Sequence, residues 1–563
     1  MKKNVLLLLC FLMAVSLQAQ KSLSKDFSYT VSKPYQVEDA AKKFYFNKDG
    51  QILSVKAWNK FVIIQKFDVA TLKQTYTKKN EDFPKNFVTE GMINVQDKFY
   101  FFYSSWTGRK TKHEQLFYRE IDFETGKFTG EPVKIIDVDG KVTGTASGMG
   151  VADKFQIYNS KDESKVLIKY RRKPKVKNDK KSKDIIGINV YDISLSKLWS
   201  KDYKMPYTER KMDAMDFAVD TNGSGYMMAK VFHDDSGKSK KNKKDTKANY
   251  HMELFRMYDG SDTIEKTKIV AGENFINGIT LFESETNGMV CAGFYNNGKG
   301  KKNKTRKGVI GLSRRITFKS PSADGIFVCK LSKDGEVISQ DTYDIPLEIL
   351  NQYVSKRTKK KNDKKDEEGL AEFESLVLRD LVFEKDGGLT LIGEQMYYVM
   401  TKKKYGYSYS YFYNDMLITK ISPSGELSWM KKIPKRQFGK PKMGQIYDGS
   451  KAFQGGMSYS YFHTNGNHYL IYLDNVKNIN LPLDKIPALH IDGMGGYLTA
   501  YKVNDATGDV SKGSILDTRK VKAKLAVHQF SNNRVVKTAE DEFIVEVYKK
   551  KKEDVLIKVK IKG

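Results

Sequence analysis

The chain has 563 residues, of which 98 are Lys or Arg and 68 Asp or Glu, giving a formal net charge of +30. With 40% hydrophobic and 12% aromatic residues it can build packed cores, which excludes a wholly disordered polycation. One compact core would be unusually large at this length, so the chain is either several domains or one repeat array.

At the N-terminus, Lys2 and Lys3 precede an apolar run from Val5 to Val15, followed by Ser16-Leu17-Gln18-Ala19-Gln20. This is the three-part layout of a secretory signal, with cleavage expected near Ala19. Residues 1–19 are read as a signal peptide, 20–26 as a short linker and 27–563 as the folded body. Cys10 lies inside the apolar run and follows Leu9, which argues against lipidation. No other apolar stretch approaches the roughly 20 residues needed to cross a bilayer, so the body is not expected to be transmembrane. The expected destination is the periplasm, the outer membrane surface or the medium.

Along the body, short alternating or aromatic-rich runs bounded by Gly, Asn and Asp recur, and strong helical periodicity is nearly absent. The pattern is all-β. A strand, a polar turn and a second strand recur at Leu116 to Phe128, Ile188 to Ser200, Phe327 to Ser339 and Met416 to Met430, each preceded by another strand pair, as in Phe217 to Ala229, Leu381 to Gly393 and Tyr461 to Tyr472. Four strands, A to D, thus make one unit. These residues resemble the β-propeller superfold, whose blades are four-stranded antiparallel sheets. The resemblance is to a loose blade grammar without a WD40 or kelch signature, although Trp199 and Trp429 fall at equivalent places.

Units are expected at 41–77, 88–136, 148–205, 212–270, 275–345, 373–433 and 446–516. Residues 527 to 563 supply three more strands, and the isolated strand beginning at Phe27 would complete that last sheet and close the ring. That makes eight blades, with seven as the alternative. Cys291 and Cys329 fall in runs expected to be neighbouring strands of one sheet, as two buried thiols in preference to a bridge.

In such a ring the B–C and D–A connections emerge on one face and the A–B and C–D turns on the other. Lysine-rich segments 109–114, 171–184, 234–248, 299–307, 402–404 and 549–554 occupy B–C positions, and 356–368 a D–A position; together they hold about +25 of the charge. One face is therefore expected to carry a cationic crown, of which Arg171, Arg172, Lys301, Lys302, Arg306 and Lys360 are representative. Because lysine dominates, diffuse attraction to a polyanion is favoured over bidentate recognition. Solvated insertions with no partner are the blander reading. Tyr407, Tyr409 and Tyr411 alternate beside a lysine run, so their rings share one side of a strand and would either stack on sugars or bases or pack between blades. The loop from Asn475 to Gly493 has no net charge and is expected to pack on its own face.

No G-x-S-x-G elbow, His-x-His or His-Glu-x-x-His pair is present, and no cofactor or metal is expected. His463 and His468 flank an A–B turn but lack a nearby carboxylate in sequence, so they are read as turn residues. Asp213, Asp216 and Asp220, at the entry to strand A of the fourth unit, are weak candidates for acid/base work in the channel. The favoured function is an exported propeller that binds or scaffolds at the cell envelope, with a protein or an anionic envelope polymer as partner and no intracellular nucleic acid. The alternatives are a glycan-active hydrolase or lyase with acids in the channel, and a structural envelope component bound through the neutral loop.

Overall fold

The computed structural model describes residues 22–562 apart from 39, 41, 148–149, 241–246, 271, 273, 285–287, 299–307, 311–312, 385, 403–406, 440–456, 493–494, 521–526 and 550–552. The expected signal peptide lies outside the described residues. Eight four-stranded antiparallel sheets form the blades of a propeller; in seven the strands follow A-B-C-D along the chain, and in the eighth the fourth strand comes from the N-terminal region. Their A strands are Lys42–Lys48, Val88–Val95, Phe155–Asn159, Met212–Val219, Phe275–Glu283, Leu376–Phe383, Ser460–Thr464 and Val527–Ala539. Successive A strands touch from blade 1 to blade 6, and Lys42–Lys48 also touches Val527–Ala539, so these strands line the centre. Blade 8 is completed by Phe27–Val31, which pairs antiparallel with Glu553–Ile561 in the register Phe27 to Ile561 and Val31 to Ile557. The N-terminal strand thereby closes the ring, as expected.

Alternation along the strands places apolar side chains on both faces of every blade, and these meet the next blade. Each of the eight junctions has its own buried cluster. The junction of blades 7 and 8 buries Phe462, Leu473, Phe543 and Ile557 among others. The closing junction of blades 8 and 1 has a smaller apolar set of Ile52, Phe67, Leu72, Val536, Ile544 and Leu556. Beside it lies a buried ionic group: Lys56 Nζ is 2.7 Å from Glu546 Oε1 and 3.9 Å from Asp554, and Arg534 is 3.6 Å from Asp554. Tyr35 and Tyr45 donate to the two oxygens of Glu546.

The two tryptophans occupy equivalent D-strand positions but bond different turns, the A–B turn of blade 4 and the C–D turn of blade 7. Trp199 and Trp429, both on D strands, donate through Nε1 to a turn carbonyl of the following blade, Gly223 and Asp505 respectively, each at 2.9 Å. Cys291 and Cys329 are direct register partners on adjacent strands, buried as free thiols.

Two departures from the sequence expectation concern connections. Residues Thr145–Ser147 and Gly150–Ala152 form a separate small hairpin, so blade 3 begins at Phe155. The connection at 356–368 is a helix, Lys356–Glu367, capped by Ser355, whose hydroxyl accepts from the Thr358 N–H. Lys, Arg and Glu are good helix formers, but the helix buries no residue and so has no apolar stripe to reveal its period. It is tied down through Asn351, which bonds Asp363 and Asn362.

Candidate binding face

Antiparallel A-B-C-D order in every blade puts all B–C and D–A connections on one side of the ring. The described residues of 171–184, 234–248 and 356–368 span such connections, those of 109–114 end one, and Lys402 and Lys549 stand on the strands that lead into two more. Lys301, Lys302 and Arg306 lie outside the described residues.

The charges of this crown divide into two kinds. Arg171 donates through Nε to Asp184 at 2.6 Å and through a terminal nitrogen to Glu209 at 2.8 Å. Arg172 bonds Asp202 at 2.7 Å and the Asp139 carbonyl of blade 2 at 2.8 Å. Both arginines are thus staples within the fold, because the planar guanidinium can serve several acceptors at once. By contrast Lys173, Lys175, Lys177, Lys180 and Lys181 are exposed, as are Lys356, Arg357, Lys359 and Lys360 on the helix.

The longest feature of the crown is a hairpin of blade 6. Its strands Leu389–Lys402 and Tyr407–Ile421 have 14 and 15 residues, against 7 or 8 in the B strands of blades 1, 3 and 4. The outer halves therefore project past the blade, starting from an irregularity in register between Glu394 and Met396. There the strand Ser313–Lys319, from the B–C connection of blade 5, adds to one edge, and Gln437–Gly439 adds to the other. Gln437–Gly439 in turn takes His490–Ile491 in parallel. The neutral loop thus packs on its own face, as expected, and becomes part of this platform; Asn478 holds it by bonding Asp474 and both backbone groups of Ala488.

A buried polar cluster anchors the base of the platform. Glu394 accepts from Lys435 at 2.6 Å, Arg379 at 2.9 Å and Ser458 at 2.8 Å, and Lys435 also reaches Gln437 and the Tyr413 carbonyl. Burial pushes the Glu394 carboxyl up, but Lys435 and Arg379 outweigh it and hold the group below the usual carboxylate range. A network satisfied in this way is rigid, because any displacement strands a charge in low dielectric.

On the platform, Tyr411 lies directly opposite Tyr398, Tyr409 opposite Met400 and Tyr407 opposite Lys402, so all six share one face. Tyr411 stacks on Tyr398 with centroids 5.4 Å apart. Tyr407 and Tyr409 remain 56% and 38% exposed, so these rings do not serve packing between blades.

The three aspartates of blade 4 are engaged separately. Asp213 is exposed. Asp216 accepts from the Leu281 N–H of blade 5 at 2.8 Å, and burial raises its pKa. Asp220 closes the A–B turn by accepting from the Ser224 N–H and the Tyr226 hydroxyl. None bonds another among the described residues. Glu90 repeats the role of Asp216 in blade 2: it accepts from Ser104 at 2.5 Å and from the backbone N–H groups of Lys154 and Phe155 in blade 3. Burial pushes its pKa up to about 7. Inner-strand acids of this ring bind adjacent blades together.

Sequence reasoning missed the helix, which lacks an apolar period, and the carboxylates that approach His463 and His468, which come from other turns. Among the described residues, Glu384, His463 and His468 form the cluster able to hold a metal ion, on the face opposite the crown.

An all-β propeller of eight blades with a cationic, tyrosine-bearing face is the class of protein these features define. No family model matches the sequence, and no curated protein matches it. Among solved structures, the chain is similar to the WD40 domain of SCAP from fission yeast, at 6% identity and a TM-score of 0.34 over 97% of this chain and 98% of that one. It is similar to a thermostable family-43 glycoside hydrolase at 11% identity and a TM-score of 0.24, over 55% of this chain and 98% of that one. A prolyl endopeptidase matches at 10% identity and a TM-score of 0.30, over 76% of this chain and 54% of that one, so the chain spans about half its length. The fold rests on the eight sheets themselves. No helix among the described residues is long and apolar enough to cross a membrane.

Proposed function

We propose that the protein is an exported binding component of the cell envelope that holds an acidic polysaccharide against its crown. The observation that carries this reading is the half-exposed tyrosine face, which projects from the same side of the ring as the exposed lysines. Sugar rings stack on aromatic faces, and lysine ammonium groups attract carboxylates or sulfates without fixing one geometry. A rigid platform surrounded by solvated cations therefore suits a repeating, charged, ring-bearing polymer. The pinned arginines hold the connections that present these groups.

Polygalacturonate and heparin are the probes. Their affinity for the full mature chain should fall steeply between low and physiological salt, because releasing condensed counterions gains less free energy as bulk salt rises and the charges are more strongly screened. Replacing Lys356, Arg357, Lys359 and Lys360 by Gln should weaken binding and reduce the salt slope. Tyr407→Ala with Tyr409→Ala should weaken binding with the slope unchanged. Affinity insensitive to salt and to both sets of changes would overturn the proposal. The export half of the reading is tested by cell fractionation with and without residues 1–19.

A further inference from the structure

The face opposite the crown is made of short turns, and at the junction of blades 6 and 7 three of them meet. His463 and His468 are direct register partners on the A–B hairpin of blade 7, joined by Asn465 and Gly466, both at positive φ. That tight turn holds the two imidazoles stacked, with centroids 4.6 Å apart and planes inclined by 14°. Glu384, from the A–B turn of blade 6, brings its Oε2 to 3.7 Å from His463 Nδ1. Asp505, from the C–D turn of blade 7, lies 2.8 Å from His468 Nε2. Candidate ligand atoms of Glu384, His463 and His468 all lie within 4.8 Å of one another.

We propose that Glu384, His463 and His468 bind one divalent transition-metal ion of the zinc class on this face. Two imidazoles and one carboxylate are a donor set that zinc accepts, leaving a fourth position for water. The surroundings fit. His468 donates Nε2–H to Asp505, the carboxylate–histidine contact that fixes the tautomer of a ligating imidazole and leaves Nδ1 as its donor atom. Nδ1 now accepts from the Tyr461 hydroxyl at 2.8 Å, which the metal would displace or recruit. Glu384 is oriented by Thr390, whose hydroxyl donates to Oε1 at 2.8 Å and leaves Oε2 toward His463. The buried Nε2 of His463 has no hydrogen-bond partner among the described residues, so no hydrogen bond there opposes a turn of the ring toward a metal. Lys420, whose charge acts on His468, is paired with Asp505 at 2.6 Å. Trp429 packs edge-on against His468, with centroids 5.9 Å apart.

The site is independent of the crown, so its test leaves polysaccharide binding unchanged. Zn²⁺ alone, titrated calorimetrically into tag-free, chelator-treated mature protein, should bind with one equivalent and raise the thermal midpoint. His463→Ala and Glu384→Gln should each weaken Zn²⁺ binding at least about tenfold, and Asp505→Asn about tenfold through loss of the orienting contact. Co²⁺ should give the visible absorption of a four- or five-coordinate site in the parent chain and lose it in His463→Ala. Circular dichroism checks that each variant is folded. Absence of saturable binding by the parent chain, or equal affinity in folded His463→Ala and Glu384→Gln, would overturn the proposal.

Discussion

The same ionic residue types do opposite work at the closing junction and on the crown. At the junction, Lys56, Glu546, Arg534 and Asp554 are walled off from water by two sheets, and Lys56 and Glu546 are completely buried. On the crown, the lysines and arginine of the first two turns of helix Lys356–Glu367 stand in solvent. Where water is excluded, a charge must have a partner, and its removal strands that partner; where water is present, a charge costs the fold little and stays available to a ligand. Net charge therefore says nothing about the role of a residue until burial divides it.

The largest effect should come from breaking the buried pair. Lys56→Met leaves Glu546 without its nearest cation and should cost about 3–5 kcal/mol in urea unfolding. A loss under about 1 kcal/mol would erase the contrast between the two regions. The pair also sets a pH limb. Burial raises the Glu546 carboxyl, but Lys56 and Arg534 overcome this and leave it well below its ordinary value. At Glu546 the unfolded chain therefore binds a proton more readily than the folded one, so the contribution of this carboxylate is complete above about pH 4.5 and is lost as pH falls below it. Glu546→Gln should flatten this acid limb.

Glu90 should behave with the opposite sign. Its folded pKa of about 7 lies above the unfolded value, so stability is present at low pH and declines between about 4.5 and 7. Glu90→Gln keeps an acceptor for Lys154 and Phe155 and should recover on the order of 2–3 kcal/mol at pH 8 and nothing at pH 4, by denaturant titration at both. Arg171→Ala, at a half-exposed staple of the crown, should cost about 1 kcal/mol and loosen the 171–184 connection, read as faster amide exchange there.

The smallest effect on stability belongs to the helix. Changing Lys356, Arg357, Lys359 and Lys360 to Gln should shift stability by less than about 0.5 kcal/mol, since cations near a helix N-terminus oppose its dipole. A large destabilisation by these changes would place them in the fold rather than in binding.

Much of the ring was legible in the chain because it is written locally. Strand alternation, Gly- and Asn-containing turns and the solitary segment at Phe27 each involve a few consecutive residues, and together they point to a ring of eight or seven blades, its closure and the face of each lysine-rich connection. The helix was hidden for a local reason as well, since a segment polar all round has no period to detect. The candidate sites were legible only in part. Tyr407, Tyr409 and Tyr411 could be placed on one side of a strand, but their exposure depends on the hairpin outrunning its blade and recruiting strands from 313–319 and 437–439. Arg171 and Arg172 read as free cations because Glu209, Asp202 and Asp139 come from other strands and connections. His463 and His468 were visible as a pair, while Glu384 and Asp505 reach them only across turns of two blades.

The amino-acid pattern carries the architecture: an all-β ring of eight or seven four-stranded units, closed by its N-terminal strand, with the excess positive charge in connections on one side. Hydrogen-bonded pairing of neighbouring strands follows from turn chemistry and alternation, which are short-range. Which charges are partnered, which rings face water and which acids meet which histidines are set by contacts between distant segments. Those outcomes depend on contacts between blades, where burial multiplies the cost of an unpaired group and so selects each partner from a distant part of the chain.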